Sequence, residues 1–142
     1  MRSAVCDLGI QHIISSKIEH HAVSHTIAAI ESTSKVMVSY VNVLKDGTVC
    51  MDHLQELLAL SNVKTLVSLM HINNEIGTIL DLEFVAHLCK KHKALFHSDT
   101  VQSVGHYNLD LSLIPIDFLA ASAHKFHGPK GIGFAFVRSG LG

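Results

Sequence analysis

The sequence lacks several features that mark common classes of protein. Its basic and acidic residues nearly balance, leaving a net charge of −1, which argues against a nucleic-acid or anionic-membrane surface. No uninterrupted apolar stretch is long enough to span a bilayer. The first nine residues are too short and too polar for a signal peptide. We therefore expect a cytoplasmic protein that binds neither nucleic acid nor membrane.

Cysteine is scarce and follows no metal-binding or redox pattern. The three cysteines are odd in number and widely spaced, with no CxxC, which is typical of a reduced cytoplasmic protein. Histidine is abundant, and His20, His21 and His25 lie close enough in sequence to suggest a metal site. Neither HExxH nor a paired CxxC accompanies them, so the pattern favours a protein without a metal.

The composition predicts one α/β domain with a buried sheet. Apolar residues make up 48% of the 142 residues and charged residues only 16%, as expected when many strands are buried on both faces. Strand and helix patterns alternate, which is typical of a mostly parallel sheet flanked by helices. Strands are predicted at 11–15, 36–41, 63–70, 94–99, 117–121 and 134–137. A first helix is predicted to end at Gly9, and further helices are predicted at 19–33 and 81–91. One more helix is predicted to begin after Asp52, which would be its N-cap.

Polar residues follow several of these strands. In a parallel sheet the carboxyl ends of the strands meet at one edge, and ligands bind there. His20 and His21 also lie at the entry from a strand to a helix. We expect these clusters to converge on one crevice; they are Asn73-Asn74-Glu75, Asp99 with Gln102, and Ser122, His124 and Lys125.

The last cluster lies in a loop between two apolar runs. Apolar neighbours can lower the pKa of a lysine such as Lys125, as Schiff-base chemistry requires. The alternative is a glycine-rich hairpin with a solvated lysine. Asp99 could likewise be a turn residue or helix cap, and His20 a histidine with a purely structural role.

A lysine, a carboxylate, an amide and an imidazole in one crevice are the groups that pyridoxal phosphate (PLP) needs. Lysine bonds to the cofactor aldehyde, a buried carboxylate keeps the ring nitrogen protonated, and hydroxyls and N–H groups hold the phosphate. The sequence thus favours a PLP site, although each residue taken alone has a structural interpretation.

Four segments resemble cysteine desulfurases and selenocysteine lyases, the class V branch of fold-type I PLP enzymes. The order and spacing of these segments match that family, and the resemblance extends over nearly the whole chain. The segments are 16–23 (SKIEHHAV), 70–77 (MHINNEIG), 97–105 (HSDTVQSVG) and 122–133 (SAHKFHGPKGIG).

The resemblance implies a role for each matching residue. Lys125 would be the Schiff-base lysine, and Asp99 would pair with the pyridine nitrogen. His20 would stack on the ring and move protons, and Ser122 and His124 would bind the phosphate. Gln102 and Asn73 would lie near the ring hydroxyl oxygen, with Asn74 as the alternative to Asn73.

The resemblance also implies an activity. The intact enzyme would convert L-cysteine or selenocysteine to alanine and pass the sulfur through a protein thiol to an acceptor protein, as in iron–sulfur cluster assembly. It would be a homodimer. Two alternatives remain: another class V enzyme, either an aminotransferase or a kynureninase-like hydrolase, or a truncated interaction protein without catalysis.

The chain matches only the central part of the family's large domain. By the resemblance, the upstream phosphate loop, the mobile loop with the nucleophilic cysteine, the substrate-binding arginine and the small domain lie outside residues 1–142. We transfer the nucleophile to none of Cys6, Cys50 and Cys89. The 142 residues alone are therefore expected to release no sulfur from cysteine.

Overall fold

A computed structural model describes residues 1–141, which form a six-stranded sheet with helices on both faces. This confirms the predicted α/β class. The strands are β1 His12–Ser15, β2 Met37–Tyr40, β3 Thr65–Ser68, β4 Leu95–Asp99, β5 Phe118–Ser122 and β6 Gly133–Val137. The helices are α1 Arg2–Leu8, α2 His21–Thr33, α3 Met51–Leu60 and α4 Leu82–Lys91, and a 3₁₀ turn spans Ala123–Lys125.

The sheet has the strand order β2-β1-β3-β4-β5-β6. The first five strands in this order are parallel, and β6 alone is antiparallel, paired with β5. Parallel pairing brings the carboxyl ends of β1, β3, β4 and β5 to the same edge, as the sequence predicted. The loops that carry the candidate site residues all leave the sheet at this edge.

Two hydrophobic cores lie on opposite faces of the sheet. Helices α3 and α4 cover one face and α1 and α2 cover the other. Because successive side chains of a strand point to opposite faces, the neighbours Ile13 and Ile14 are both fully buried, one in each core. The same holds for Leu66 and Val67 in β3. This burial on both faces explains the continuous apolar runs in the sequence.

Most helix boundaries follow the signals in the sequence. Gly9 ends α1 at a φ of +69°, a left-handed conformation that glycine adopts without steric cost. Asp81 caps α4, with its side chain accepting a hydrogen bond from the Phe84 N–H. The predicted cap at Asp52 was wrong: Cys50 is the N-cap of α3, and Asp52 lies in the first turn, where a negative charge still suits the helix dipole.

Two further features concern function classes rather than the fold itself. Across residues 1–141 no helix combines the length and apolarity needed to cross a membrane. Within the same residues, no three His, Cys, Asp or Glu side chains are grouped as metal ligands.

The buried face of β4 is tested by replacing one aromatic side chain. Phe96 is 0% exposed in the core under α3 and α4, whereas Phe84 on α4 is 46% exposed. We expect Phe96→Ala to lower the free energy of unfolding by about 3–5 kcal/mol, because it leaves a cavity in a close-packed core. Phe84→Ala, the matched control, should cost less than about 1 kcal/mol. Urea denaturation measures both, and equal losses would contradict the assigned core.

Candidate active site

A cavity of about 380 Å³ lies at the carboxyl edge of the sheet. It brings together residues from four separate loops, which are far apart in sequence. Six of the predicted site residues line it, and Asn73 does not. Its lining consists of His20, Ala22, Met70, Asn74, Asp99, Val101, Gln102, Ser122, His124 and Lys125.

Lys125 reaches the cavity from the turn between β5 and β6. These strands form the hairpin named in the alternative interpretation, and the 3₁₀ turn of residues 123–125 follows directly after β5. The His106 ring Nε2–H donates to the Lys125 carbonyl oxygen at 2.8 Å, which ties the turn to the loop after β4. Lys125 is exposed, so the apolar surroundings expected for it are absent from the described residues.

The turn depends on a close approach between two loops. Gly105 has a φ of +84°, and a Cβ atom there would lie 2.5 Å from the Cβ of Phe126. A side chain at position 105 would therefore push away the residue that follows Lys125. The glycine and the His106 contact together fix the base of the lysine.

Ser122 and His124 form a polar pair beside Lys125. The Ser122 Oγ and the His124 Nδ1 are joined by a hydrogen bond of 2.8 Å. Ser122 is the last residue of β5, so the sheet fixes its backbone. Because this hydrogen bond uses one proton, a neutral ring leaves one donor for an anionic oxygen, either the His124 Nε2–H or the Ser122 O–H, depending on the tautomer.

Asp99 ends β4 and is 9% exposed. Its Oδ1 accepts a hydrogen bond from the Val101 N–H at 3.0 Å, so the turn interpretation of this aspartate is also correct. Its Oδ2 makes no hydrogen bond within residues 1–141, which leaves one carboxylate oxygen for a ligand in the cavity. The same side chain thus supports the local turn and lines the cavity.

His20 is the N-cap residue of α2. Its Nδ1 accepts a hydrogen bond from the Ala22 N–H at 3.1 Å. Since Nδ1 is an acceptor, the neutral ring carries its proton on Nε2. The cap therefore orients an exposed imidazole at the cavity and leaves Nε2 free to exchange a proton.

Asn73 does not line the cavity that contains Lys125. It is 5% exposed and lines a neighbouring cavity of about 490 Å³. The adjacent Asn74 lines the cavity that contains Lys125. Motif order alone could not separate two consecutive asparagines, because either one satisfies the pattern.

Glu19 is a buried carboxyl that the sequence analysis did not single out. Its Oε1 accepts hydrogen bonds from the Ser16 hydroxyl at 2.7 Å and from the Met70 N–H at 3.1 Å, while Oε2 has no partner in residues 1–141. Burial, with a smaller contribution from the negative charge of Asp99, raises the pKa of Glu19 to about 7. The Glu19 carboxyl thus stays protonated at pH values well above those at which a glutamate ordinarily loses its proton.

Other residues at the site carried little or no signal in the sequence. Met70 lines both cavities, but a methionine at the end of an apolar run looks like a core residue. His106 follows the HSDTVQSVG segment directly, and only the fold shows its contact with Lys125. Glu19 could have been noticed as the residue before His20 in a short polar segment.

The protonation of Glu19 predicts a specific pH dependence. The unfolded chain releases this proton near a pKa of 4.5, whereas the folded chain retains it up to about pH 7. Glu19 therefore makes the free energy of unfolding fall as the pH rises across this interval, by on the order of 3 kcal/mol relative to Glu19→Gln. Urea denaturation of both proteins from pH 4.5 to 7.5 measures the difference between their free energies of unfolding. The other titrating groups contribute equally to both proteins and cancel in this difference. Parallel curves would contradict a raised pKa.

The chain is similar in sequence to proteins of one known family. The aminotransferase class-V family model matches residues 9–142. The cysteine desulfurase IscS of Clostridium botulinum strain Hall is 42% identical over 130 residues, an alignment that covers 92% of this chain and 32% of that protein. The chain thus spans about a third of the length of the curated relatives it matches.

Solved structures give the same result. A structure described as a NifS-like protein superposes with a TM-score of 0.88 at 36% identity, covering 98% of this chain and 38% of the other. A structure of SspA in complex with cysteine superposes with a TM-score of 0.84 at 33% identity, covering 92% of this chain and 37% of the other. Fold, motif order and family model therefore agree, and the chain belongs to the aminotransferase class-V family.

Proposed function

We propose that this chain forms part of the cofactor-binding domain of a PLP-dependent cysteine desulfurase. One observation carries the proposal: the amine of Lys125 and the carboxylate of Asp99 line the same cavity, at the carboxyl edge of a parallel sheet. A PLP enzyme needs these two groups on one ligand. Side chains at opposite ends of the sheet would have ruled this function out.

The remaining side chains of the cavity also fit the chemistry of PLP. The Ser122–His124 pair supplies a donor for a phosphate oxygen. Gln102 and Asn74 carry amides that suit the ring hydroxyl, and His20 presents an imidazole ring. Asn73, which the family motif suggested for the ring hydroxyl, uses its amide elsewhere, so the proposal assigns this role to Asn74.

When bound, PLP acts as an electron sink for the bonds around the substrate Cα. Lys125 would hold the cofactor through its amine. Asp99 would lie beside the ring nitrogen, where a carboxylate favours the protonated, electron-withdrawing form of the ring. His20 holds or releases a proton at Nε2, on the side of the cavity that its cap geometry fixes.

The proposed substrate of the whole protein is L-cysteine, with alanine as the product and sulfur transferred to a protein thiol and then to an acceptor protein. The names of the relatives support this: one is called a cysteine desulfurase, and a structural neighbour was solved with cysteine. Selenocysteine is the alternative substrate, because selenium differs from sulfur mainly in size and softness. The SKIEHHAV and MHINNEIG segments favour this branch over other class V enzymes.

Product analysis on the whole protein encoded by the native gene tests this assignment. Alanine together with sulfide or a persulfide would support the desulfurase, whereas a transaminated keto acid or a hydrolysed kynurenine would support another class V activity. We expect the 142 residues alone to form no alanine from cysteine. Turnover comparable with that of an intact enzyme would contradict this expectation.

A homodimer and a cytoplasmic location complete the proposal. The dimer rests on the family resemblance and can be measured by light scattering. The location rests on the three cysteines, since Cys6, Cys50 and Cys89 are all free thiols.

Cys89 is buried, and burial raises the pKa of its thiol well above the ordinary range. Such a thiol is inert, which agrees with placing the nucleophile elsewhere.

The lysine assignment predicts a loss of bound cofactor in one variant. Lys125→Ala removes the amine that bonds to the cofactor aldehyde, so the visible absorption band of PLP-treated protein should disappear. Lys130→Ala is the matched control, because Lys130 is an exposed lysine in the same hairpin and does not line the cavity. Absorption spectra after removal of free PLP measure both variants. An unchanged band in Lys125→Ala would overturn the assignment.

A further inference from the structure

Two loops at the edge of the sheet hold each other through reciprocal hydrogen bonds. The Met70 N–H, at the end of the β3 run, donates to the Glu19 carboxyl at 3.1 Å. In the opposite direction, the Asn73 Nδ2 donates to the Ile18 carbonyl at 2.7 Å. These contacts join residues 51 and 55 positions apart in sequence, so each loop contributes one side chain to the backbone of the other.

The side chain of Asn73 is fully used in this arrangement. Its Oδ1 accepts hydrogen bonds from the Glu75 N–H at 2.8 Å and the Ile76 N–H at 3.1 Å. Its Nδ2 contacts the Met70 sulfur as well as Ile18. Every polar atom of this amide therefore has a partner within the protein. Asn73 shapes its own loop and ties it to the loop before α2.

The residues that follow Glu19 and Asn73 have a different role. His20 comes directly after Glu19 and Asn74 directly after Asn73, and both line the lysine cavity. Glu19 and Asn73 instead line the neighbouring cavity. In each loop, one residue joins the loops and the next one reaches the proposed cofactor. Met70 lines both cavities.

We propose that Glu19 and Asn73 are positioning residues that lock these two loops together and so hold His20 and Asn74 against the proposed cofactor. The link to the cofactor rests on the proposed function, but the locking of the loops does not. The burial of the pair supports this role, since Glu19 is 8% and Asn73 is 5% exposed. A buried hydrogen bond is costly to break because its partners lose solvation as well. The loops should therefore move together or not at all.

The first experiment measures amide hydrogen exchange without cofactor. The reporters are the Met70 N–H, which donates to Glu19, and the Ala22 N–H, which donates to His20. Glu19→Ala and Asn73→Ala should each speed exchange at Ala22 by about tenfold, and Glu19→Ala should do the same at Met70, since about 1.4 kcal/mol is a factor of ten. Glu19→Gln keeps a carbonyl oxygen for both donors and should stay close to wild type.

Control variants separate loop locking from general destabilisation. Glu31→Ala removes an exposed glutamate of α2 and should leave both reporters unchanged. If an alanine variant fails to fold, amide exchange in Asn73→Asp tests the proposal instead. Aspartate keeps both acceptor contacts but cannot donate a hydrogen bond to the Ile18 carbonyl. Folded Glu19→Ala and Asn73→Ala proteins with wild-type exchange at Ala22 would overturn the proposal, as would wild-type exchange at Ala22 in Asn73→Asp.

The second experiment measures the affinity for PLP from the visible absorption band. Both alanine variants should bind about tenfold more weakly than wild type, and Glu19→Gln should restore the affinity. Unchanged affinity in both alanine variants would overturn the link between the locked loops and the cofactor. If the whole protein encoded by the native gene shows no band that depends on Lys125, the proposed function fails, and the exchange experiment still decides whether the loops are locked.

Discussion

Parallel strand pairing is the constraint from which the site follows. In residues 12–15, 65–68, 95–99 and 118–122 the chain runs in the same direction, so every connecting loop leaves from one edge. A carboxylate, an amide and a histidine from distant parts of the sequence meet there because of the strand direction alone. If one strand were reversed, its loop would lie at the far edge and the cavity would lose a wall.

The antiparallel strand β6 completes the hairpin whose connection carries Lys125. It returns the chain after the connection formed by residues 123–132, and the 3₁₀ turn at the start of this connection presents Lys125 to the cavity. The glycine at position 105 and the His106 contact with the Lys125 carbonyl hold this turn against the loop that begins with Asp99. The backbone at Lys125 is therefore held against the loop that follows Asp99, which fixes the base of each of these two side chains.

The fold could be predicted from the sequence largely because burial on both faces leaves a clear pattern. The apolar runs of β1, β3 and β4 and the apolar stripe of α4 follow directly from packing in two cores. Finer details depend on contacts that a single sequence does not contain. Asp52 and Cys50 compete for one helix start, and Asn73 and Asn74 compete for one cavity. Glu19 was missed because Met70, its partner 51 residues further along the chain, reaches it only after the sheet has formed.

The central claim is that Asp99 faces the nitrogen of a ring held by Lys125. Nuclear magnetic resonance of protein loaded with PLP labelled with ¹⁵N in the ring tests it most directly, because the chemical shift reports whether that nitrogen carries a proton. The account predicts a protonated nitrogen in the wild-type protein and a deprotonated one in Asp99→Asn. A chemical shift that is the same in both proteins would contradict it.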